Sequence, residues 1–186
     1  MPPHTPAPDA PLRNVELKAR LASLEAAREV AQRLATDRLP DQRQIDTYFA
    51  CRRGRLKLRE IDGRQAQLIW YERPDESGPK LCRYTLIPMD RPDLLKDALA
   101  AALGVLVTVD KSREIYLYHN VRIHLDRVAG LGTFLEFEAV LSPGAEAEDG
   151  RVQLGFLRRA FSIADAELVE GSYADCLTHG RHTARG

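Results

Sequence analysis

The segment VRIHLDRVAGLGTFLEFEAVL, residues 121–141, decides the fold. On both sides of its glycine-containing turn, residues 129–132, apolar residues alternate with charged or polar ones, and this period of two is typical of half-buried strands. Side chains two residues apart lie on the same face of a strand. The segment is therefore predicted to form an antiparallel hairpin with an apolar face and a charged face. The charged face carries Arg122, His124, Asp126, Glu136 and Glu138.

Similar alternation continues outward through most of the chain. It predicts eight strands, at residues 13–20, 44–49, 55–61, 67–73, 81–87, 105–118, 121–128 and 133–141. Helices are predicted from Ser23 to about Thr36, from Asp90 or Arg91 to just before Gly104, and over roughly residues 151–177. Most connections are too short for parallel strands, which need a long crossover. The predicted fold class is α+β: an eight-stranded antiparallel β-barrel, or tunnel, with helices packed on the outside.

The length of 186 residues suits one domain. Residues 1–11 contain five prolines and no periodicity, so they are predicted to be a flexible tail. A single domain is expected over residues 12–178, and residues 179–186 are expected to fray.

Composition excludes several classes of protein. Lys and Arg together number 27 and so do Asp and Glu, and this balance argues against a broad nucleic-acid-binding surface. We also expect no membrane segment and no secretory signal, because the sequence has neither a long apolar stretch nor a charged start followed by an apolar run. Three widely spaced cysteines, Cys51, Cys82 and Cys176, fit reduced thiols in a cytoplasmic protein.

Charged residues form rows that are sorted by sign along the strands. One row is basic, with Arg55, Lys57 and Arg59, and Glu136 and Glu138 form an acidic one. Two interpretations fit: the rows are the solvated face of a half-buried sheet, or they point inward. Repulsion between like charges on one face, together with amphipathic helices that need an apolar surface to cover, favours the inward arrangement.

An inward lining of this kind has a chemical use. Guanidinium and ammonium groups bind the oxygens of a polyphosphate. Carboxylates repel phosphate but hold Mg²⁺ or Mn²⁺, which bridge to phosphate oxygens. The residues alone therefore suggest a metal-dependent protein that handles phosphate.

The chain also resembles the CYTH superfamily, the triphosphate tunnel metalloenzymes, which include class IV adenylate cyclases, thiamine triphosphatases and inorganic triphosphatases. The similar blocks keep the family order over residues 13 to about 177, and the stretch from Arg122 to Glu138 looks most like the class IV adenylate cyclase branch. These blocks are residues 14–18, 46–49, 54–60, 71–74, 109–113, 121–126 and 132–138.

The resemblance implies a tunnel that binds a triphosphate along its axis, and it assigns roles by position. The implied substrate-binding residues are Lys18, Lys57, Arg59, Arg73, Lys111, Arg113 and Arg122. The implied ligands for Mg²⁺ or Mn²⁺ are Glu16, Asp126, Glu136 and Glu138. The implied catalytic residues are Glu16, Lys18, Arg59, Glu136 and Glu138. One departure is Asn14, which stands where the family has the first glutamate of its Glu-x-Glu-x-Lys motif.

The resemblance leaves the reaction open. A metal-dependent triphosphatase is slightly favoured, because cyclisation needs a base-and-ribose pocket that the sequence does not identify. A class IV adenylate cyclase, making cyclic AMP and pyrophosphate from ATP, is the close alternative, and Asn14 motivates a non-catalytic binder as the third. The expected partner is ATP, tripolyphosphate or thiamine triphosphate, and a homodimer is one option for assembly. For His124, a hydrogen-bonded structural role is favoured over that of a general base.

Overall fold

The computed structural model describes residues 11–183, which form eight β-strands and four α-helices. The strands are β1 (Leu12–Arg20), β2 (Asp37–Phe49), β3 (Arg55–Ile61), β4 (Gln65–Glu72), β5 (Lys80–Met89), β6 (Val105–Tyr118), β7 (Val121–Val128) and β8 (Gly132–Leu141). The helices are α1 (Leu24–Leu34), α2 (Pro92–Leu103), α3 (Ala147–Ala160) and α4 (Tyr173–Thr183), with a short 3₁₀ helix at Asp165–Glu167.

The strands close into one antiparallel barrel in the order β1-β5-β4-β3-β2-β6-β7-β8. Closure results because β1 pairs with both β5 and β8. The predicted barrel is therefore confirmed. The register of β1 and β8 places Glu16 opposite Glu138 and Lys18 opposite Glu136, so charges that lie far apart in sequence become neighbours on the inner face.

The outer face of β1, β7 and β8 is apolar and is covered by α1 and α3. Leu17, Ile123 and Phe137 are fully buried there, together with Leu154 and Leu157 of α3. Ser23 caps α1, because its hydroxyl accepts a hydrogen bond from the backbone N–H of Ala26. Burying each large aliphatic side chain contributes about 1.5–3 kcal/mol, so the helices fix which face of these strands can point inward.

A second patch covers the opposite wall. Leu95 and Leu99 of α2 pack against Phe49 and Leu58, which lie on the outer faces of β2 and β3. Gly104 ends α2 with a positive φ of 76°, a conformation that glycine adopts without strain. Helices therefore pack on both sides of the barrel and leave its interior to the alternate residues of each strand.

The structure differs from the sequence-based prediction chiefly in two places. The helical material expected over roughly 151–177 begins earlier, at Ala147, and is divided into α3 and α4; Ser162 lies in the left-handed region with a φ of 54° just after α3. Strand β2 begins at Asp37, ahead of the predicted start at Gln44, because β6 pairs with its polar first half. Except for residue 11, the predicted N-terminal tail lies outside the described residues, as do residues 184–186.

None of the helices within residues 11–183 has the length and apolarity that crossing a bilayer requires.

Candidate active site

The charged rows lie inside the barrel, around a central cavity. Among the described residues, six basic side chains and four carboxylates line this cavity, so a cationic excess faces any ligand. The basic residues are Lys18, Lys57, Arg59, Arg73, Lys111 and Arg122, and the acidic ones are Glu16, Asp46, Glu136 and Glu138. The tyrosines Tyr48, Tyr71, Tyr84 and Tyr173 line the same space.

The first charged group joins β2 and β3. Asp46 is buried and accepts two hydrogen bonds from Arg59, Nε to Oδ1 at 2.7 Å and Nη2 to Oδ2 at 2.8 Å. Lys57 Nζ donates to Asp46 Oδ2 at 2.8 Å. Burial alone would raise the pKa of Asp46, but Arg59 and Lys57 hold that pKa well below its usual range. One fixed carboxylate thus keeps two cations in place beside the cavity.

The second group lies deeper and joins β6 and β7. Arg113 donates from Nε and Nη2 to the two oxygens of Asp126, both at 2.6 Å, and Lys111 Nζ donates to Oδ2 at 3.2 Å. The hydroxyl of Tyr173 donates to the same oxygen at 2.8 Å. Asp126 is fully buried, and although burial opposes its ionisation, Arg113 and Lys111 hold its pKa below the usual range. Its oxygens are occupied by these three partners.

Three potential metal ligands come together on β7 and β8. One ligand atom each of His124, Glu136 and Glu138 can be chosen so that all lie within 4.8 Å of one another, close enough to surround one ion. Burial, followed by Arg113, lowers the pKa of His124, which keeps the imidazole neutral and able to donate a lone pair. The two carboxylates suit Mg²⁺ or Mn²⁺, which prefer oxygen ligands, and the neutral imidazole adds a nitrogen donor that a transition-metal ion such as Mn²⁺ accepts more readily than Mg²⁺.

Cations already contact Glu136. Lys18 Nζ donates to its Oε1, and Arg113 Nη2 donates to its Oε2 at 2.6 Å. Burial opposes the charge on Glu136, yet Lys18 and Arg113 hold its pKa well below the usual range. Glu136 therefore stays ionised, which both ion pairing and metal binding require.

Glu16 faces the same cavity from β1. Arg73 Nε lies 3.0 Å from its Oε1. Burial raises the pKa of Glu16; Arg73 opposes this rise, and the charges of Glu136 and Glu138 reinforce it. Asn14, two residues earlier on the same face of the strand, is buried, and its Oδ1 has no hydrogen-bond partner within residues 11–183. Such an atom is a neutral oxygen ligand at most, without the charge that a glutamate would bring.

The structure brings most of the predicted site residues around one cavity, but it divides them. Glu136 and Glu138 belong to the group of potential ligands, and Glu16 lines the cavity beside them. Asp126 lies outside that group and, like Glu136, is bonded to two cations, in its case Arg113 and Lys111. Its role as a metal ligand stays a prediction. Arg122 lies at the mouth, where its side chain is 49% exposed. Arg113 is buried behind the cavity lining.

Sequence reasoning missed the roles of two residues in the site. Asp46 shares a strand face with Tyr48 and pairs in register with Arg59, so strand alternation combined with pairing could have identified it. Tyr173 enters the barrel end from a segment predicted to be helical, and strand alternation gives no signal for it. His124 was identified as inward-facing but not as a potential ligand.

Comparison with known proteins identifies the family of this chain. The family model of the CYTH domain matches residues 12–173. The chain therefore belongs to the CYTH family. Members of this family bind triphosphate substrates, act as triphosphatases or adenylate cyclases, and generally depend on Mg²⁺ or Mn²⁺. No curated protein sequence gave a significant match.

Several solved structures have a similar fold. They include the PH1012 protein from Pyrococcus horikoshii OT3, with a TM-score of 0.77 and 21% identity over 87% of this chain and 98% of that chain. A candidate adenylate cyclase from Vibrio parahaemolyticus gives a TM-score of 0.72 and 19% identity over 91% and 99% of the two chains. HpAC1 from Hippeastrum, a candidate adenylyl cyclase with a dominant triphosphatase activity, gives 0.61 and 17% over 86% and 91%. At these identities the likeness shows the fold alone.

Proposed function

We propose that this protein is a metal-dependent triphosphatase that hydrolyses the terminal phosphate of a triphosphate bound along its tunnel. The observation that carries the proposal is the cavity lining, in which cations from β1, β3, β6 and β7, together with Arg73 just after β4, converge around carboxylates that can hold a metal. HpAC1, a protein of similar fold with a dominant triphosphatase activity, shows that hydrolysis is compatible with this fold.

The cations would bind the phosphates by exchange. In the structure Lys57 and Arg59 are bonded to Asp46, and Lys18 is bonded to Glu136. Phosphate oxygens compete with these carboxylates for the same donors. Because the ammonium and guanidinium groups are already charged and held beside the cavity, their side chains need little reorientation to contact a phosphate. A polyvalent anion that contacts several cations at once gains most from this arrangement.

The residues present fit a divalent ion. His124, Glu136 and Glu138 would hold it, and when bound it supplies charge neutralisation for the phosphate oxygens. Glu16 has a raised pKa and lines the same cavity, so it is the carboxylate best suited to take a proton from the attacking water. The water oxygen bonds to the terminal phosphorus while the bridging P–O bond breaks, and Arg59, Arg73 and Lys57 stabilise the leaving phosphate chain.

Cyclisation of ATP is the second candidate, and one observation favours it. Ile69, Tyr84 and Leu86 of β4 and β5 line the cavity, and Leu86 is 36% exposed at its mouth. These side chains form an apolar wall against which a nucleoside base could pack. In that reaction the ribose 3′-hydroxyl attacks the α-phosphorus and pyrophosphate leaves.

Product analysis distinguishes these reactions. The purified protein is incubated with tripolyphosphate, ATP or thiamine triphosphate, first with Mg²⁺ and then with Mn²⁺. Orthophosphate release supports the proposal, whereas cyclic AMP with pyrophosphate supports the cyclase. Saturable binding without turnover would contradict both and indicate a binding protein.

A matched pair of variants links the activity to the site. Glu136→Gln removes a charge from the ligand group and is expected to lower turnover by about 100-fold or more, the scale set by loss of one electrostatic group in an active site. Glu29→Gln makes the same change at an exposed position on α1 and should have wild-type activity. Full activity in Glu136→Gln would remove Glu136 from the mechanism.

A further inference from the structure

The segment at residues 168–175 crosses one end of the barrel. It begins beside β1, where Leu168 forms an antiparallel bridge with Ala19 and the N–H of Val169 donates to the carbonyl oxygen of Lys18 at 2.9 Å. It is then tied to β5, because the ammonium of Lys80 donates to the carbonyl oxygens of Val169 and Glu170 at 3.3 and 2.6 Å. The segment is thus bonded to two neighbouring strands at the rim.

The same segment also reaches strands farther around the rim. Asp175 accepts a hydrogen bond from Arg55 of β3 at 2.8 Å, and the hydroxyl of Tyr173 donates to Asp126 of β7. In the closed order of strands, β3 and β7 lie on either side of the β1–β5 pair with other strands between. A short segment that contacts all four strands must lie across the opening.

Tyr173 fills this end of the lumen. Its side chain lines the charged cavity, yet the residue is almost completely buried. Its ring packs edge-on against Phe134 with centroids 4.9 Å apart, and the apolar cluster around it includes Val109 and Val128. The cavity therefore ends at Tyr173, and it opens to solvent at the other end, beside Arg122 and Leu86.

Two ammonium groups lie against this closed end. Lys18 Nζ is 4.1 Å and Lys111 Nζ is 5.1 Å from the centroid of the Tyr173 ring. Cations close to an aromatic face are held by its electron density. Both ammonium groups are also bonded to carboxylates, Lys18 to Glu136 and Lys111 to Asp126. The innermost position of the tunnel therefore offers two ammonium donors that a phosphate group could contact, in a space closed by the Tyr173 ring.

We propose that Tyr173, whose ring closes one end of the tunnel, is the specificity-determining residue that limits how many phosphates the tunnel can hold. This inference rests on the proposed function and adds to it a limit on the length of the phosphate chain, set by a single side chain. The terminal phosphate enters first, and any organic group stays at the mouth. Hydrolysis then forms a bond between water oxygen and the terminal phosphorus, breaks the bond to the bridging oxygen, and releases orthophosphate and a chain shorter by one phosphate.

The first test compares two adenosine-bearing triphosphate chains, one with a free terminal phosphate and one blocked at both ends. Titration calorimetry measures binding of β,γ-methylene-ATP, which resists cleavage of its terminal bond, and of diadenosine triphosphate, in which both ends are blocked. β,γ-Methylene-ATP is expected to saturate the protein, whereas diadenosine triphosphate is expected to show no binding at the same concentrations. Equal affinities would overturn this inference alone, whereas binding of neither ligand and no binding of tripolyphosphate would overturn the proposed function with it.

The second test concerns Tyr173 itself. We compare the affinity ratio of adenosine tetraphosphate to ATP in the wild type, Tyr173→Phe and Tyr173→Ala. Tyr173→Ala is expected to shift the ratio toward the tetraphosphate, because space is created at the closed end, whereas Tyr173→Phe keeps the ring and the wild-type ratio. Mere structural damage would weaken both ligands without changing the ratio, and an unchanged ratio would overturn the role of Tyr173. Tyr173→Leu serves as the second variant if the alanine variant does not fold.

Discussion

The closed end and the mouth of the barrel differ in how their charges are held. At the closed end Lys80 and Asp126 are fully buried, and each is surrounded by hydrogen-bond partners. At the mouth Arg122 is half exposed, and its nearest carboxylate oxygen, on Glu138, is 3.8 Å away. Buried charges need fixed partners, whereas an exposed charge is stabilised by water. The closed end is therefore rigid, and we expect it to recognise the phosphates, while the mouth can adapt to different substituents.

The largest effect on stability is expected for the most buried ion pair. Asp126→Asn leaves Arg113 and Lys111 without their charged partner and should lower the free energy of unfolding by about 3–5 kcal/mol. Asp110→Asn is the matched control, since Asp110 also accepts two hydrogen bonds from one arginine, Arg43, but at an exposed position. It should cost about 0–1 kcal/mol. Urea unfolding measures both, and equal losses would contradict the contrast.

The next largest loss of stability is expected when Lys80 is replaced. Its ammonium also donates to the carbonyl oxygen of Glu76 at 2.7 Å, so Lys80→Met leaves three carbonyl groups without this donor. The variant should be less stable by about 1–3 kcal/mol. Arg83→Met on the exposed face of the same strand should change little. If thermal and urea unfolding show the two variants to be equally stable, Lys80 does not anchor the C-terminal segment.

Binding is expected to take up protons at alkaline pH. Burial, followed by the charge of Arg113, lowers the pKa of Lys111 to about 7, so at pH 8 this side chain is largely neutral in the free protein. A bound polyphosphate favours the charged form and raises this pKa, so binding takes up part of a proton at pH 8 and less at pH 6, where Lys111 is already charged. Calorimetry in buffers of different ionisation enthalpy measures the uptake. An uptake that persists unchanged in Lys111→Met would exclude this residue as its source.

The smallest effect is expected at the mouth. Arg122→Ala removes an exposed cation and should weaken tripolyphosphate binding by only about two- to fivefold, with most of the loss disappearing at high salt. Arg59→Ala, which removes a cation that is fixed on Asp46, should weaken binding more and with less dependence on salt. A larger loss for Arg122→Ala would reverse the assignment of the two ends.

Strand alternation predicted most of the strands and the inner face of the wall, whereas closure of the barrel was predicted from the number of strands and from the resemblance to the CYTH superfamily. The predicted strands at 55–61, 105–118 and 121–128 agree with the observed bounds of β3, β6 and β7. In β3 and β7 this is because apolar and charged residues alternate, so that only one face can be buried against helices. The inward position of Lys57, Glu136 and Arg113 follows from the same parity.

Features that depend on contacts distant in sequence were not predictable in this way. The polar first half of β2 becomes a strand because β6 supplies its pairing partners, such as Leu117 opposite Asp37. The break after α3 depends on the left-handed conformation of Ser162, which no motif marks. Tyr173 lies in the barrel end because the preceding residues are anchored to β1 and β5, and local sequence carries no sign of those anchors.

Closure of the barrel by β1 and β8 also has a consequence for how the chain acquires its structure. Arg13 near the start of β1 pairs with Leu141 at the end of β8. During synthesis, the edge of β1 that pairs with β8 therefore stays unpaired until the last strand has been made. Such distant pairings slow folding, because the entropy of closing a long loop must be overcome first. Until that moment the lysines, arginines and carboxylates of the future lumen are hydrated. We expect the late docking of β8 to expel this water and to create the anion-binding interior in one cooperative step.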